Sequence, residues 1–426
     1  MKKKNISIKV CVCTSYRADR EPRAPRHAAA IAQLGSEFEV TFIECASMGE
    51  SASYLKQLDK IPNIKLRTHF YPHRKSSIIA LLLNRLWNRT AQMLFQAFEL
   101  LLPAAFSTNV IGLEQILNEV QADIYLAHNI DTLLPCAQVA KRLGALLMFD
   151  SMEFHADMGD SQTKLEQKMI RTLESKWLSN CKLVLASSEQ MADEIAKEYG
   201  IRRPLPLYNV PSIEPSLPPK NTKQFTLYWR NSVIGLSQRG LDEALLALSQ
   251  LPEDITLHLQ GRLPLDGGKA LKTRIAKLNI TQRVIIHPPY LPEEAIKMAA
   301  TYTIGLCLER KGVRNHDLTV SNKMFDYMMA GLSVIASDLP GLRHIIERSN
   351  GGLLFEAGSA DDLAKQIMTL YNNRSYLQEL STNARNFALS EGNWRVEMEK
   401  LTQAFSVICD QKYILPISQS VAEIAS

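Results

Sequence analysis

Residues 321–340 read SNKMFDYMMAGLSVIASDLP, and this stretch decides the fold. A lysine-bearing loop opens a short helix from Asn322 that carries one carboxylate, Asp326. Gly331 ends the helix, and the apolar run 333–336 reads as a buried strand closing at Ser337 and Asp338. A helix entered from such a loop offers unpaired backbone N–H groups beside the Lys323 cation, a natural place for an anion such as a diphosphate. About one turn further on, Asp326 is placed to accept hydrogen bonds from a ribose diol. A plain helix–strand unit of an α/β sheet accounts for the same spacing.

Working outward, the same alternation runs through the chain. Before the linker, strands at 6–13, 39–44, 124–127, 145–150 and 182–187 alternate with helices at 23–34, 133–143, 164–178 and 189–199. Short apolar strands separated by helices mean parallel pairing with helices on both faces. Residues 204–220 (PLPLYNVPSIEPSLPPK) are proline-rich and aperiodic, the composition of a linker. Beyond it come strands at 225–229, 256–260, 284–287 and 303–308, with helices at 241–248 and 292–300. The expected fold class is therefore α/β, two doubly wound Rossmann-like domains facing across a cleft. Ligands bind such sheets at the carboxyl ends of the strands.

Bulk properties agree. A chain of 426 residues exceeds the usual size of one core. With 46% hydrophobic and 22% charged residues the composition is that of an ordinary folded protein. The net charge of +5 suits anionic substrates or attachment to an anionic membrane, and is too weak to argue for nucleic acid. None of the seven cysteines forms a CxxC pair, which points to reduced, buried thiols. The opening MKKKN imitates a signal peptide, but Lys9 interrupts the apolar run and a first strand reads better.

The 321–341 stretch resembles the donor-site signature of retaining GT-B glycosyltransferases of the family 4 type, (S/P)NK-(L/F)FEYMAAG-(K/L)PVIASDLPG. Further segments resemble that family in the expected order: ADIYLAHNIDTLLPCAQVAKRLGALLMFDSMEF (122–154), KLVLASSEQMADEIAKEYGI (182–201), YNVP (208–211) and QRGLDEALLAL (238–248). The helix start at Asn393 and Trp394 resembles the family's last helix, which returns to the N-terminal domain. The implied organisation is an acceptor-binding domain at 1–205 with a returning helix at about 396–413, a linker at 206–222, a nucleotide-sugar domain at 223–395 and a tail at 414–426. Two departures stand out. The usual glutamate is Asp326, and its partner eight residues earlier is Leu318.

The resemblance implies a hexosyltransferase that moves a sugar from a nucleotide diphosphate donor (UDP-, GDP- or ADP-linked) to an acceptor hydroxyl with retention, in glycan, polysaccharide or glycolipid synthesis. In the family, attack is thought to come from the face the phosphate leaves, and that phosphate takes the acceptor proton. His128, at the end of an apolar strand, would contact the donor sugar, although a lone histidine is also an ordinary core residue. Met152 replaces a family histidine beside Glu153.

No DxD cluster is evident, so no metal or cofactor is expected and cations must stabilise the leaving diphosphate. Arg239 and Lys323 are the candidates. Ile234 stands where the family has a second cation, and Arg230 is the substitute if its loop folds back. The implied donor set also includes Asp326, Asn322, Ser321, Asn315, Gly261, Arg262 and Tyr290.

For the acceptor, the loop TSYRADREPRAPRHAAA (14–30) resembles a family subset. Arg17, Arg20, Arg23 and Arg26 would form a positive rim, joined by Asp131; a solvated helix face explains the same arginines. Residues 75–102 place Arg85, Asn88, Gln92, Gln96 and Glu99 at helical spacing beside a broad apolar surface. Its charges exclude a membrane span. A helix packed on the sheet or lining the acceptor site is the preferred reading, with a peripheral membrane contact through the basic start at His73, Arg74 and Lys75 the alternative. The acceptor would be a glycan or a lipid-linked group. The expected location is cytoplasmic, with the inner membrane face as the option. Rival readings are a nucleotide-sugar epimerase on the same fold and a non-catalytic nucleotide-sugar-binding subunit.

Overall fold

The computed structural model describes residues 7–50, 61–73, 76–159, 162–219, 224–236, 239–290 and 292–413. Arg74, Lys75 and the tail at 414–426, invoked above, lie outside the described residues. The chain divides into two compact units, one drawn from 1–187, 192–207 and residue 398 onward, the other from 188–191 and 208–397.

Unit 1 opens with β1 (Ile8–Thr14), α1 (Arg23–Ala32), β2 (Phe38–Ser47) and β3 (Ile64–Tyr71), then α2 (Ile78–Phe98), α3 (Pro103–Phe106) and α4 (Leu113–Val120). It continues through β4 (Ile124–His128), α5 (Ile130–Leu143), β5 (Leu146–Ser151), α6 (Lys164–Trp177), β6 (Leu183–Ala186), α7 (Glu189–Tyr199) and β7 (Leu205–Pro206). Among the described residues the seven strands form one sheet in the order β3-β2-β1-β4-β5-β6-β7. Every pairing is parallel.

The β1 sequence IKVCVCT is buried at every position but one, as a central strand covered on both faces requires. Thr163 and Glu166 close a reciprocal capping box at the start of α6. β3 escapes sequence reading because its charged residues interrupt the apolar pattern at a sheet edge. β7 falls inside the proline-rich stretch, and Pro206 is tolerated there because the strand is an edge.

Unit 2 runs through β8 (Phe225–Val233), α8 (Leu241–Ser249), β9 (Ile255–Arg262), α9 (Lys269–Lys277), β10 (Val284–His287), α10 (Ala295–Ala299), β11 (Ile304–Cys307), α11 (Arg314–Leu318), α12 (Asn322–Met329), β12 (Ser333–Ser337), α13 (Pro340–Ser349) and β13 (Gly352–Phe355). Helices α14 (Ala360–Asn372), α15 (Arg374–Ser390) and α16 (Trp394–Tyr413) follow. Its six described strands are ordered β10-β9-β8-β11-β12-β13, again all parallel. Two apolar clusters fill this unit, one around Trp229, Leu245 and Leu363, the other around Met324, Phe325 and Tyr228. From residue 398 onward α16 belongs to unit 1, and its Phe405, Ile408 and Cys409 pack in that unit's core with Phe38 and Val40.

Strand order reverses between β1 and β4 in one unit and between β8 and β11 in the other. At such switch points adjacent loops leave in opposite directions and open a crevice at the strand ends. The described cysteines are all free, and six of the seven are buried.

Candidate functional site

The switch point of unit 2 gathers charge. Glu309 lies just beyond β11 and is 5% exposed. Its Oε1 accepts from Arg239 Nη1 at 2.5 Å and lies 3.9 Å from Lys323 Nζ. The Ser337 hydroxyl, at the end of β12, bonds both the N–H and the carbonyl of Glu309 at 2.9 Å, fixing the carboxylate's root. Lys323 is buried, with its ammonium 5.7 Å from the centre of the Trp229 ring. Burial pushes its pKa down, Glu309 opposes this, and Arg239 adds to it. Two cations thus converge on one carboxylate oxygen. Arg239 holds a left-handed backbone conformation at φ 45° immediately before Gly240 at φ 69°, and α8 starts from that turn.

Arg230, at the end of the regular part of β8, pairs with Asp326 of α12. It also donates from Nη1 to the Tyr290 hydroxyl at 2.7 Å, while its backbone N–H donates to Tyr327 Oη at 3.1 Å. Burial opposes the charged form of this guanidinium, but Asp326 and the tyrosines hold its pKa above the usual value. Arg230 is therefore a structural partner of α12 and no solvated surface residue. The Asp326 carboxylate, expected to face a ribose, is engaged by it. Ile234, where a second cation was sought, is a fully buried core residue.

The remaining donor candidates surround these groups. Ser321 is the N-cap residue of α12 and makes no side-chain cap bond, while Asn322 is exposed on the first turn. Asn315 is buried in α11, its carbonyl accepting from Thr319. Gly261 and Arg262 end β9. A Cβ on Gly261 would lie 2.0 Å from the Asn231 carbonyl oxygen, so no other residue fits there. Arg262 is exposed.

In unit 1 the register aligns Thr14 with His128 and His128 with Asp150, placing three strand ends side by side. His128 is fully buried, its Nδ1 3.0 Å from Asp150 Oδ2. Arg23 donates to both Asp150 oxygens, at 2.7 and 2.9 Å, and to the Leu207 carbonyl at 2.8 Å. His27 packs against His128 with ring centres 5.0 Å apart. Burial alone would raise the Asp150 pKa, but Arg23 and His128 hold it well below the usual carboxylate value. Burial lowers His27 well below its usual value, so this imidazole stays neutral. His27, His128 and Asp150 bring one ligand atom each within 4.8 Å of one another, a grouping able to hold a metal ion. The bidentate Arg23 already supplies the cation that this carboxylate needs.

Directly after His128, Asn129 sits at φ 68° and ψ 151°, a region otherwise used by glycine. Its side-chain amide donates to Thr14 Oγ1 at 3.3 Å.

One member of the expected arginine rim is corrected by the structure. Arg23 is 2% exposed and locked in the core by Asp150, so it cannot face an acceptor. Arg17 pairs with Asp19 at 2.7 Å, and Arg20 with Glu50 at 2.8 Å. Asp131, on the first turn of α5, has a pKa raised by burial to about 6.

Of the preferred reading of 75–102, the packing of its apolar face on the sheet is overturned. Only Ala91 and Phe95 of α2 are buried, and its broad apolar face is exposed. Sequence reasoning missed Glu309, Asp150 and His27. The signal for the two carboxylates was their place at strand carboxyl ends.

These geometries set the chain beside known proteins. Residues 233–373 match the family described as Glycosyl transferases group 1. The matched segment contains Arg239, Glu309, Lys323 and Asp326. Among solved structures, HepE of Anabaena in complex with UDP superposes with a TM-score of 0.66 at 16% identity, over 94% of this chain and all (100%) of that one. Sucrose-phosphate synthase of Thermosynechococcus elongatus superposes with a TM-score of 0.71 at 13% identity, over 95% of this chain and 100% of that one. WaaG, a glycosyltransferase involved in lipopolysaccharide biosynthesis, gives a TM-score of 0.61 at 14% identity, over 93% and 99% of the two chains. No curated protein matches the chain. At these identities the likeness shows the fold, GT-B with two Rossmann-like units.

Proposed function

We propose that this protein is a retaining glycosyltransferase of the family 4 type, using a nucleoside diphosphate sugar bound in unit 2. One observation carries the reading: Arg239 and Lys323 converge on Glu309 Oε1 at the switch point of the sheet, inside the segment matched by the glycosyltransferase model. Fixed cations at that point stabilise charge as it develops on a departing diphosphate. The start of α12 adds its free N–H groups.

Uridine is the proposed base, with guanosine and adenosine the comparisons, because HepE was crystallised with UDP and with UDP-glucose. His128 is proposed as the group of unit 1 that positions the sugar, its ring set by Asp150. Lysine and arginine take the part that a metal ion would otherwise play. The proposed acceptor is a glycan or lipid-linked hydroxyl, in polysaccharide or glycolipid synthesis.

The test is hydrolysis and transfer from a panel of UDP-, GDP- and ADP-sugars, with product anomers resolved by NMR. Lys323→Ala and Asp326→Ala, checked for folding, serve as controls. Turnover of one donor that falls at least tenfold in Lys323→Ala supports the reading, and unchanged turnover in both variants removes the site. A second reading, a non-catalytic nucleotide-sugar-binding subunit, is favoured by Leu318 at a position where the family has an acid and by the engagement of Asp326 with Arg230. Tight donor binding with no turnover would select it.

A further inference from the structure

Helix α2 is built inside out. Its amide side chains face the protein: Asn88 donates to the Ala104 carbonyl at 2.6 Å, and Gln92 to that of Ala105 at 3.2 Å. Its large apolar side chains face away. Ile79, Leu82, Leu83, Leu86 and Met93 are 74, 56, 60, 63 and 66% exposed, and Trp87 beside them is 44% exposed. The five fall at i, i+3, i+4, i+7 and i+14, so they share one face of the helix, interrupted by Thr90. An apolar stripe of this length in water marks a surface that something covers.

Charge identifies the occupant. The 21-residue helix contains no aspartate or glutamate, while Arg85 and Arg89, four residues apart, are exposed along one edge of the stripe. The carboxylate at the C-cap, Glu99, is held by Lys168 at 2.7 Å. An apolar stripe bordered by cations, with an indole at its flank, matches the acyl boundary and the phosphates of an anionic bilayer. A second copy of the chain would bring the same arginine edge, and α2 has no acid to meet it. No described helix is long and apolar enough to cross a membrane, so the contact is peripheral.

We propose that α2 docks this protein on the surface of a membrane containing anionic lipid, lying in the interface plane with the Ile79–Met93 stripe inserted. The proposal is independent of the donor reaction.

The test is co-sedimentation of the full-length protein with vesicles of phosphatidylcholine alone or with about one third phosphatidylglycerol, at low and moderate salt. Leu82→Gln/Leu86→Gln changes only exposed side chains, and circular dichroism with the melting temperature confirms its fold. Arg85→Gln/Arg89→Gln tests the charge. Each basic residue near an anionic surface contributes about 1 kcal/mol, so the arginine pair should weaken binding by roughly tenfold or more and flatten its salt dependence. The leucine pair should weaken it at least tenfold at every salt concentration. Failure of the wild type to bind anionic vesicles overturns the proposal. So does a lipid-free dimer, seen by sedimentation equilibrium, that dissociates in the leucine variant.

Discussion

The ammonium of Lys323 lies 3.9 Å from Oε1 of Glu309, the oxygen that also accepts from Arg239. Glu309 thereby holds two cations in place, and it also sets a negative charge where an incoming diphosphate brings more. Glu309→Gln should separate these effects. Losing one member of a largely buried charge cluster should cost about 1–3 kcal/mol of stability, discounted for the exposure of Arg239. The shift in melting temperature caused by saturating UDP should then exceed that of the wild type. A smaller UDP shift would place the diphosphate elsewhere.

Asp150 contributes stability through a buried pair, with Arg23 and Asp150 at 2% and 0% exposure. Asp150→Asn leaves the guanidinium uncompensated and should cost about 3–5 kcal/mol in urea unfolding. Arg23→Leu/Asp150→Leu should recover much of that loss. Because the folded pKa of Asp150 is depressed, its contribution is present above pH 3.8 and is lost only as pH falls towards the lower folded value.

Glu174 works in the opposite direction. Burial raises its pKa from 4.5 to about 8, while the bond from the Tyr199 hydroxyl opposes that rise. A raised carboxyl pKa means that the folded state holds a proton the unfolded state has released. The associated stability is fully present below pH 4.5 and declines as pH rises through about 8. Glu174→Gln should flatten this decline, leaving the variant more stable than the wild type at pH 9. Parallel stability profiles for the two proteins would contradict the assignment.

Asn129 stores backbone strain at φ 68° and ψ 151°. Such a conformation costs about 1–3 kcal/mol for a residue with a Cβ, and glycine relieves it at an entropic cost of roughly 0.5–1 kcal/mol. Asn129→Gly should therefore be as stable as the wild type or more so, by up to about 2 kcal/mol in denaturant titration. A marked loss of stability would mean that the bond from its amide to Thr14 outweighs the strain.

Much of the fold was legible because the parallel strands are nearly uninterrupted apolar runs. The α12–β12 unit was readable to within a residue from Gly331 and the signature around it. β3 was not, since its Lys65, Arg67 and His69 break the pattern at an edge. The candidate site was half legible. Lys323, Arg239 and Asp326 stand in recognisable local patterns, whereas Glu309 is marked in the sequence only by following a strand end, and its partners come from the tertiary approach of β11 to α12.

Arg23 misled for a related reason. Four arginines spaced three residues apart look like a solvated rim, and only the tertiary contact of α1 with the end of β5 shows one of them turned into the core against Asp150. In α2 the period of the helix was clear, but periodicity does not say which face meets the protein. There, carbonyls at the start of α3 selected the amide face.

The central claim, a cationic diphosphate site in unit 2, is tested most directly by titration calorimetry of UDP into the wild type and Lys323→Ala. GDP and ADP serve as comparisons. A charge-assisted contact to phosphate contributes about 1.5–3 kcal/mol, so the variant should bind UDP roughly ten- to a hundredfold more weakly. Equal affinity in a folded Lys323→Ala protein would contradict the account.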